Sequence, residues 1–224
     1  LTVVKDTGIL GVDATSGCLG ADDGAGLWLL LQMIAAKIPG HYIFHREEEI
    51  GRKGSMYRAK CFPKRLKRHK MAIAFDRRGT TSIITHQMGV RTCSDAFAES
   101  LAAAIGMKHF KDTTGSYTDT ASYARLIDEC TNVSIGYQRE HSVNETLDTM
   151  YLLALRDKMV TFDEDSIVIS RDHNAVPEYK TYTSTRTYYG GHYTGNEEYG
   201  DGDAGYGYGY HYKPQKEKST QSLS

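Results

Sequence analysis

The chain has 224 residues, of which 40% are hydrophobic, and its 27 lysines and arginines nearly balance 28 aspartates and glutamates. This composition predicts one globular domain, and a net charge of -1 favours neither nucleic acid nor an anionic membrane as a partner. The longest apolar run, residues 26–36, is shorter than the roughly 20 residues of a membrane-spanning helix, and no signal-peptide pattern is visible. Four single cysteines without a CxxC pair indicate reduced thiols, so we expect a cytoplasmic protein.

Apolar segments alternate with turn residues along residues 1–176. Helical spacing, caps and alternation predict, in chain order, a hairpin turning at residues 6–8, a helix at 24–37, a strand at 41–46, a helix at 55–61, strands at 71–76 and 80–87, helices at 94–106 and 117–127, a strand at 131–137 and a helix at 145–159. Strands alternating with helices predict an α/β fold, a three-layer sandwich around a mixed, largely parallel sheet.

The composition changes at residue 177, where Tyr, Gly and charged residues replace aliphatic ones. Residues 177–224 hold most of the 16 tyrosines of the chain. Such a segment buries too little apolar surface to offset its ordering entropy, which predicts a disordered tail. The tail is either an inert extension or an adhesive element, and residues 1–176 form the predicted catalytic domain.

Acidic residues recur at one kind of place in the predicted fold. Asp22 and Asp23 begin a helix, residues 47–49 (EEE) and Asp76 end strands, and His141 follows a strand. Because functional groups gather beyond the carboxyl ends of strands, these side chains are expected to converge. Several carboxylates there need a cation, although Asp22 and Asp23 read alone are equally well explained as helix caps.

Carboxylate and imidazole ligands without thiolate favour zinc, with manganese or cobalt as alternatives. Two metal ions about 3.5–4 Å apart, sharing a carboxylate and a hydroxide, form a common hydrolytic arrangement. The acidic positions therefore predict a metal-dependent hydrolase.

Four motifs in order, "LGADDGAG", "EEEIGRKGS", "AFDRRGT" and "YTDTASY...ECTNVSIGYQREHSVNE", resemble the co-catalytic zinc exopeptidases. This superfamily includes aminopeptidases and carboxypeptidases, among them peptidase T and the tetrahedral aminopeptidases. The resemblance covers roughly residues 11–158, and the short spacing between motifs is similar to the compact aminopeptidase branches. It implies hydrolysis of a terminal peptide bond, or of a similar small amide, and is compatible with a homo-oligomer.

The resemblance also implies roles for individual residues. It makes Asp22 the ligand that bridges two zinc ions and leaves Asp23 as a supporting or capping residue. Of the paired glutamates, Glu48 is implied as general base and Glu49 as a metal ligand with His141. Asp76 is implied to hold the other ion together with a histidine.

One departure from the family is that its first ligand, a His in a His-x-Asp element before the bridging Asp, is absent, since no His precedes His41. We expect either an N-terminally truncated piece of a larger hydrolase or a chain that has lost one metal site. Only the site of Asp22, Glu49 and His141 is then complete. The alternative function is an inactive relative that serves as a binding or assembly module through its tail.

Asp119, in "YTDTASY", resembles the acidic residue near the family's substrate pocket, but a helix N-cap explains it equally. Arg77 and Arg78 either orient Asp76 or form a charged turn. The basic run 64–70 (KRLKRHK) could contact phosphates, and a solvated loop is the simpler interpretation. The remaining histidines are expected at the surface or in packing, with His86 a weak surrogate ligand; those considered are His45, His69, His86 and His109.

Overall fold

A computed structural model describes residues 2–4, 7–12 and 17–180. Its strands are β1 (Thr2–Val4), β2 (Ile9–Gly11), β3 (Met71–Arg77), β4 (Ser82–Ile84), β5 (His86–Gln87), β6 (Val90–Arg91), β7 (Phe110–Asp112), β8 (Glu129–Ser134), β9 (Tyr137–Gln138) and β10 (Thr146–Asp148). Its helices are α1 (Ala21–Ala35), α2 (Lys53–Cys61), α3 (Pro63–Leu66), α4 (Asp95–Ile105) and α5 (Thr149–Met159), with 3₁₀ helices at Asp119–Tyr123 and Glu164–Ser166. No helix of this described part is long and apolar enough to cross a membrane.

The central sheet has the strand order β3-β8-β4-β7. Strand β3 pairs parallel with β8 from Met71 opposite Glu129 onward, and β4 pairs parallel with β7. Strands β4 and β8 are antiparallel. The predicted α/β fold with a mixed sheet is therefore confirmed.

A second sheet, β1-β2-β10-β9, is antiparallel throughout. It contains the predicted N-terminal hairpin, with Val4 paired to Ile9, so that prediction is confirmed. Strand β10 lies between β2 and β9, and this brings the segment that carries His141 next to the start of the chain.

Successive side chains of a strand point to opposite faces, and the central sheet separates two apolar clusters in this way. Ile73 and Val133 face the larger cluster, which is filled by α1, α4 and α5. Ala72 and Cys130 face a smaller cluster around Leu66 of α3. The result is helices on both faces of the sheet, as a three-layer sandwich requires.

Residues 41–46 were predicted as a strand, and this prediction is wrong, because the segment forms no ladder with any described strand. Alternating polar and apolar side chains suit an extended segment, but a strand needs a partner for its backbone hydrogen bonds. The segment faces β3 across a cavity of about 1140 Å³ lined on one side by residues 38–45 and on the other by residues 68–76. Within the described ranges, β3 is consequently an edge strand with one side unpaired.

Three further predictions need correction. The helix predicted at 117–127 is only a 3₁₀ helix at Asp119–Tyr123. The strand predicted at 80–87 is divided at Thr85, whose backbone N–H donates to the carbonyl of Asp112. The helix predicted from residue 145 begins at Thr149, since the three residues before it form β10 and Asp148 caps the helix through a hydrogen bond from the Tyr151 N–H.

Candidate metal centre

Asp22 is positioned by Glu145, a buried carboxylate from the loop before β10. The two carboxylate oxygens of Glu145 accept hydrogen bonds from the backbone N–H of Gly20 at 2.8 Å and of Asp22 at 2.9 Å. Neither Asp22 nor Asp23 has helical backbone angles, and the peptide bond between them is cis. The sequence analysis did not assign this positioning role. The only signal in the sequence is that Glu145 lies four residues after His141.

His141, Asp22 and Glu49 meet at one point. The Nε2 atom of His141 lies 2.9 Å from Oδ2 of Asp22 and 3.0 Å from Oε1 of Glu49. One ligand atom from each residue lies within 4.8 Å of the other two. The hydrogen bond that Nε2 donates to Glu49, followed by the charges of the two carboxylates, raises the pKa of His141. The structure thus brings together three residues from three distant parts of the chain that the sequence proposed as one ligand set.

Asp76 lies at the end of β3 beside Asp22. Its Oδ2 accepts a hydrogen bond from the Thr118 hydroxyl at 2.9 Å, and its Oδ1 accepts one from the Tyr137 hydroxyl at 3.2 Å. Burial, followed by the charge of Asp22 and a hydrogen bond to its carboxyl group, raises the pKa of Asp76 to about 8. Burial also raises the pKa of Asp22. The surroundings of this pair therefore disfavour two negative charges and favour a bound cation.

Asp23 follows Asp22 in the chain; the residue as a whole is exposed, whereas its carboxyl group is enclosed. Its Oδ1 accepts a hydrogen bond from the Gly26 backbone N–H at 3.2 Å. Burial raises the pKa of Asp23 to about 9, with the charges of Asp76 and Asp22 adding to the effect. A carboxyl in this position supports the other two and does not join the ligand triangle of Asp22, Glu49 and His141.

The three glutamates that follow residue 46 have different surroundings. Glu47 points away to form an ion pair with Lys53 at 3.1 Å. Glu48 is half-buried, and burial, followed by the charge of Asp119, raises its pKa to about 7. Glu49 is exposed and contacts His141. The run therefore offers one carboxylate to a metal and a separate one with a pKa near neutrality.

Asp119 is the first residue of a 3₁₀ helix and pairs with His45. Its Oδ2 lies 2.9 Å from Nδ1 of His45, and the Nε2 atom of that ring contacts the Tyr123 hydroxyl. The other oxygen, Oδ1, is buried without a hydrogen-bond partner among the described residues. His45 was predicted as a surface or packing residue, and its position directly before the glutamate run is the signal that could have assigned it to the site.

The other candidates lie elsewhere. Arg77 pairs with Asp112 at 3.5 Å and Arg78 with Glu140 at 3.3 Å, so both arginines have acidic partners other than Asp76. The ring of His86 contacts the Thr85 hydroxyl, and that of His109 contacts the Tyr151 hydroxyl. These contacts fit the predicted packing roles.

A second group of possible ligands, Asp128, Asp172 and His173, lies at the opposite end of β3. Asp128 already has cationic partners, since Lys70 lies 3.2 Å and the His173 ring 2.5 Å from its carboxylate oxygens. This group is therefore a weaker metal site than the triangle at Asp22.

The architecture described above is an α/β fold, with helices on both faces of a mixed sheet and carboxylates at one edge. Among solved structures, PhTET1-12s, a dodecamer, matches with a TM-score of 0.51 at 21% identity, over 64% of this chain and 50% of that chain. The TET1 peptidase of Pyrococcus horikoshii, which can assemble into a tetrahedron or a large octahedral shell, gives a TM-score of 0.51 at 21% identity, over 64% and 49%.

An aminopeptidase of the archaeon Desulfurococcus kamchatkensis matches with a TM-score of 0.47 at 20% identity, over 65% of this chain and 48% of that chain. The chain thus spans about half the length of the solved structures it matches. No protein-family model and no curated protein matches the sequence. The resemblance to tetrahedral aminopeptidases seen in the motifs is confirmed at the level of the fold.

Proposed function

We propose that this chain supplies metal ligands and the general base of a metal-dependent exopeptidase, aminopeptidase-like in substrate class. The observation that carries the proposal is the convergence of Asp22, Glu49 and His141, whose ligand atoms lie within 4.8 Å of one another. Its shared fold with the TET1 peptidase supports the same class of reaction. The substrate is a peptide or a similar small amide.

The donor set fits zinc. Asp22, Glu49 and His141 offer two carboxylates and one imidazole, and the buried cysteines lie in the core clusters, away from this point. The second ion expected in the complete protein would share Asp22 and bind Asp76. The raised pKa of Asp76 beside Asp22 supports this assignment, because a bound cation would offset the same negative charge as a proton. Manganese and cobalt tolerate the same ligands.

Glu48 is the residue assigned to proton transfer. Zinc held by these residues would lower the pKa of the attacking water and polarise the scissile carbonyl. Glu48 lies outside the ligand triangle and has a pKa of about 7, which suits a group that must both accept and release a proton near neutral pH. Its carboxylate takes the proton of the water and passes it to the nitrogen of the departing amine.

Asp119 is assigned to substrate binding. Asp119 lines the same cavity as the carboxylates of the site, and its Oδ1 has no hydrogen-bond partner among the described residues. A terminal ammonium group of a peptide would satisfy this oxygen with a charge-assisted hydrogen bond. His45 fixes the orientation of Asp119 through the other carboxylate oxygen.

Metal analysis tests the ligand assignment. The purified chain, dialysed against trace zinc, is expected to retain about one equivalent of zinc, since one complete triangle of ligands is present. His141→Ala is expected to lower zinc affinity at least about tenfold. His69→Asn is the matched control, because His69 lies at the other end of β3. Equal zinc content in wild type and His141→Ala would contradict the assignment.

Kinetics test the general base. In a preparation that cleaves aminoacyl p-nitroanilides, Glu48→Gln is expected to lower kcat by about 10²–10⁴ while zinc content stays unchanged. Glu47→Gln, the neighbouring control whose carboxylate pairs with Lys53, should retain activity within about twofold. Loss of zinc from Glu48→Gln would instead mean that Glu48 and Glu49 have exchanged roles.

Oligomeric state is the remaining part of the proposal. The solved TET1 structures are assemblies, which supports a homo-oligomer for the complete protein. Light scattering coupled to size exclusion measures it directly.

A further inference from the structure

A basic cluster lies at the end of β3 opposite the carboxylates. It consists of His41, Arg58 of α2, Arg65 of α3, and Arg68 and His69 from the turn that leads into β3. Four of these residues line one cavity of about 440 Å³, and every lining residue is basic; the lining is His41, Arg65, Arg68 and His69. Two separate parts of the chain, residue 41 and residues 65–69, thus place basic groups around one cavity.

The cluster lacks a counter-charge. Other arginines of the described chain, such as Arg78 and Arg91, pair with carboxylates, whereas no residue of the basic cluster forms such a pair within residues 17–180. Asp128, an acid that contacts Lys70 next to the cluster, is also paired with His173. Like charges held together without a partner repel one another, so the cluster is a site of excess positive potential.

The hydrogen bonds of the cluster run in one direction. A guanidinium group can only donate, so Arg58 Nη2 donates to Nε2 of His41 at 3.0 Å. The proton of His41 is then on Nδ1, which donates to Nε2 of His69 at 3.0 Å. The remaining nitrogen of His69, Nδ1, therefore carries a proton, and it has no acceptor within residues 17–180. This chain of hydrogen bonds ends in a donor and not in an acceptor.

Two further observations indicate unsatisfied donors. The Nε atom of Arg58 is buried and has no hydrogen-bond partner among the described residues. Burial lowers the pKa of His41, and the charges of Arg58 and His69 lower it further. An anion in the cavity would offset the effect of these charges on His41, which lines it, whereas Arg58 does not line the cavity.

We propose that the basic cluster binds a small oxyanion of the phosphate class, either free phosphate or the phosphate group of a monoester. The guanidinium groups of Arg65 and Arg68 can each offer paired N–H donors to phosphate oxygens, and His69 Nδ1 supplies one more. Two permanent positive charges favour a doubly charged anion over a singly charged carboxylate. The site lies at the end of β3 away from the carboxylates, while His41, Arg68 and His69 also line the larger cavity that reaches them.

The test is a titration of the whole chain with sodium phosphate at pH 7.5 and constant ionic strength, followed by the ring ¹⁵N resonances of the histidines. The resonances of His41 and His69 are expected to shift together and to saturate with a Kd on the order of 1 mM. That of His141 should not move. A linear drift without saturation, or no shift of His41 and His69, would overturn the proposal.

Two variants distinguish a specific phosphate site from non-specific attraction of phosphate by positive charge. Arg68→Gln is expected to weaken phosphate binding about tenfold. Lys67→Gln removes the same charge from the adjacent exposed position, which does not line the cavity, and should change the Kd less than about twofold. An equal loss in both variants, or competition by acetate as strong as by phosphate, would show that only diffuse charge is involved.

Glycerol phosphate identifies the source of the group. If glycerol phosphate binds with the same Kd as inorganic phosphate, the site accepts monoesters, because the esterified oxygen of the phosphate then faces solvent. A Kd at least about tenfold weaker assigns it to free phosphate.

Discussion

At the scale of single residues, Asp76 shows how burial determines the chemistry of a carboxyl group. Its position after an apolar strand made it a candidate ligand from the sequence. The hydroxyl groups of Thr118 and Tyr137 that hold it could not be predicted, because they lie more than 40 positions away along the chain and are brought there only by the fold. The same is true of Glu145, whose contacts with Gly20 and Asp22 join distant segments.

The raised pKa of Asp76 predicts the pH dependence of the metal-free protein. The pKa rises from 3.8 to about 8 on folding, so between these values the folded chain holds a proton that the unfolded chain has released. The stability contributed by this proton is complete below about pH 4 and is lost as the pH rises through about 8, the pKa in the folded chain. The raised pKa values of Asp23, Glu48 and His141 act in the same direction.

Asp76→Asn is the corresponding test. In metal-free protein it is expected to raise Tm at pH 8 by about 4–8 °C, which corresponds to about 2 kcal/mol, and to flatten the decline of Tm between pH 5 and 9. Zinc should raise the Tm of wild type more at pH 8 than at pH 5.5. If Tm of Asp76→Asn changed with pH in parallel to that of wild type, the raised pKa of Asp76 would be refuted.

At the scale of elements, local sequence patterns predicted an element correctly where that element is stabilised by hydrogen bonds within itself. Helix α4 was predicted from its Ser94 cap and the glycine that ends it, and the Ser94 hydroxyl indeed accepts a hydrogen bond from the Phe97 N–H. The helix predicted at 117–127 failed because Thr118 and Thr120 use their hydroxyl groups for tertiary hydrogen bonds, to Asp76 and to the carbonyl of Thr131. The strand prediction for residues 41–46 was wrong because a strand also needs a neighbouring strand to accept and donate its backbone hydrogen bonds.

The close approach of α1 to β3 makes a matched pair of glycine substitutions informative. A Cβ atom at Gly26 would lie 2.2 Å from the Phe75 carbonyl oxygen and 2.4 Å from Oδ1 of Asp23. Gly26→Ala is therefore expected to cost about 3 kcal/mol or more in the free energy of unfolding. Gly24→Ala meets nothing within 4 Å and should stabilise α1 by about 0.5–1 kcal/mol. Urea unfolding curves measure the stability of both variants. Equal midpoints for the two variants would show that α1 can move away from β3 at little cost.

At the scale of the whole molecule, one buried carboxylate joins the end of the described chain to its centre. Glu129 is fully buried and accepts hydrogen bonds from the Ser94 N–H and hydroxyl and from the backbone N–H of Ser170 and Arg171. Contacts continue beyond residue 176, since Lys180 N–H donates to the carbonyl of Gly89 at 2.7 Å and Arg91 pairs with Glu178 at 2.8 Å. The remainder of the predicted tail, residues 181–224, lies outside the described residues.

Two truncations test where the folded unit stops. Ending the chain after Lys180 is expected to leave Tm unchanged within about 1 °C, because the predicted disordered tail contributes no burial. Ending it after Val176 removes the contacts of residues 178–180 and should cost about 1–2 kcal/mol. Differential scanning calorimetry distinguishes the two. A large loss of Tm on removal of residues 181–224 alone would mean that the tail folds onto the domain.

The unpaired side of β3 also sets the conditions under which this chain can be handled. Seven residues of edge strand beside half-exposed apolar side chains are a template on which strands of neighbouring molecules can add. Self-association at this edge increases with protein concentration and competes with folding. Melting curves and titrations of the isolated chain are therefore best measured at low micromolar concentration, with dilution series to separate the properties of one molecule from those of its aggregates.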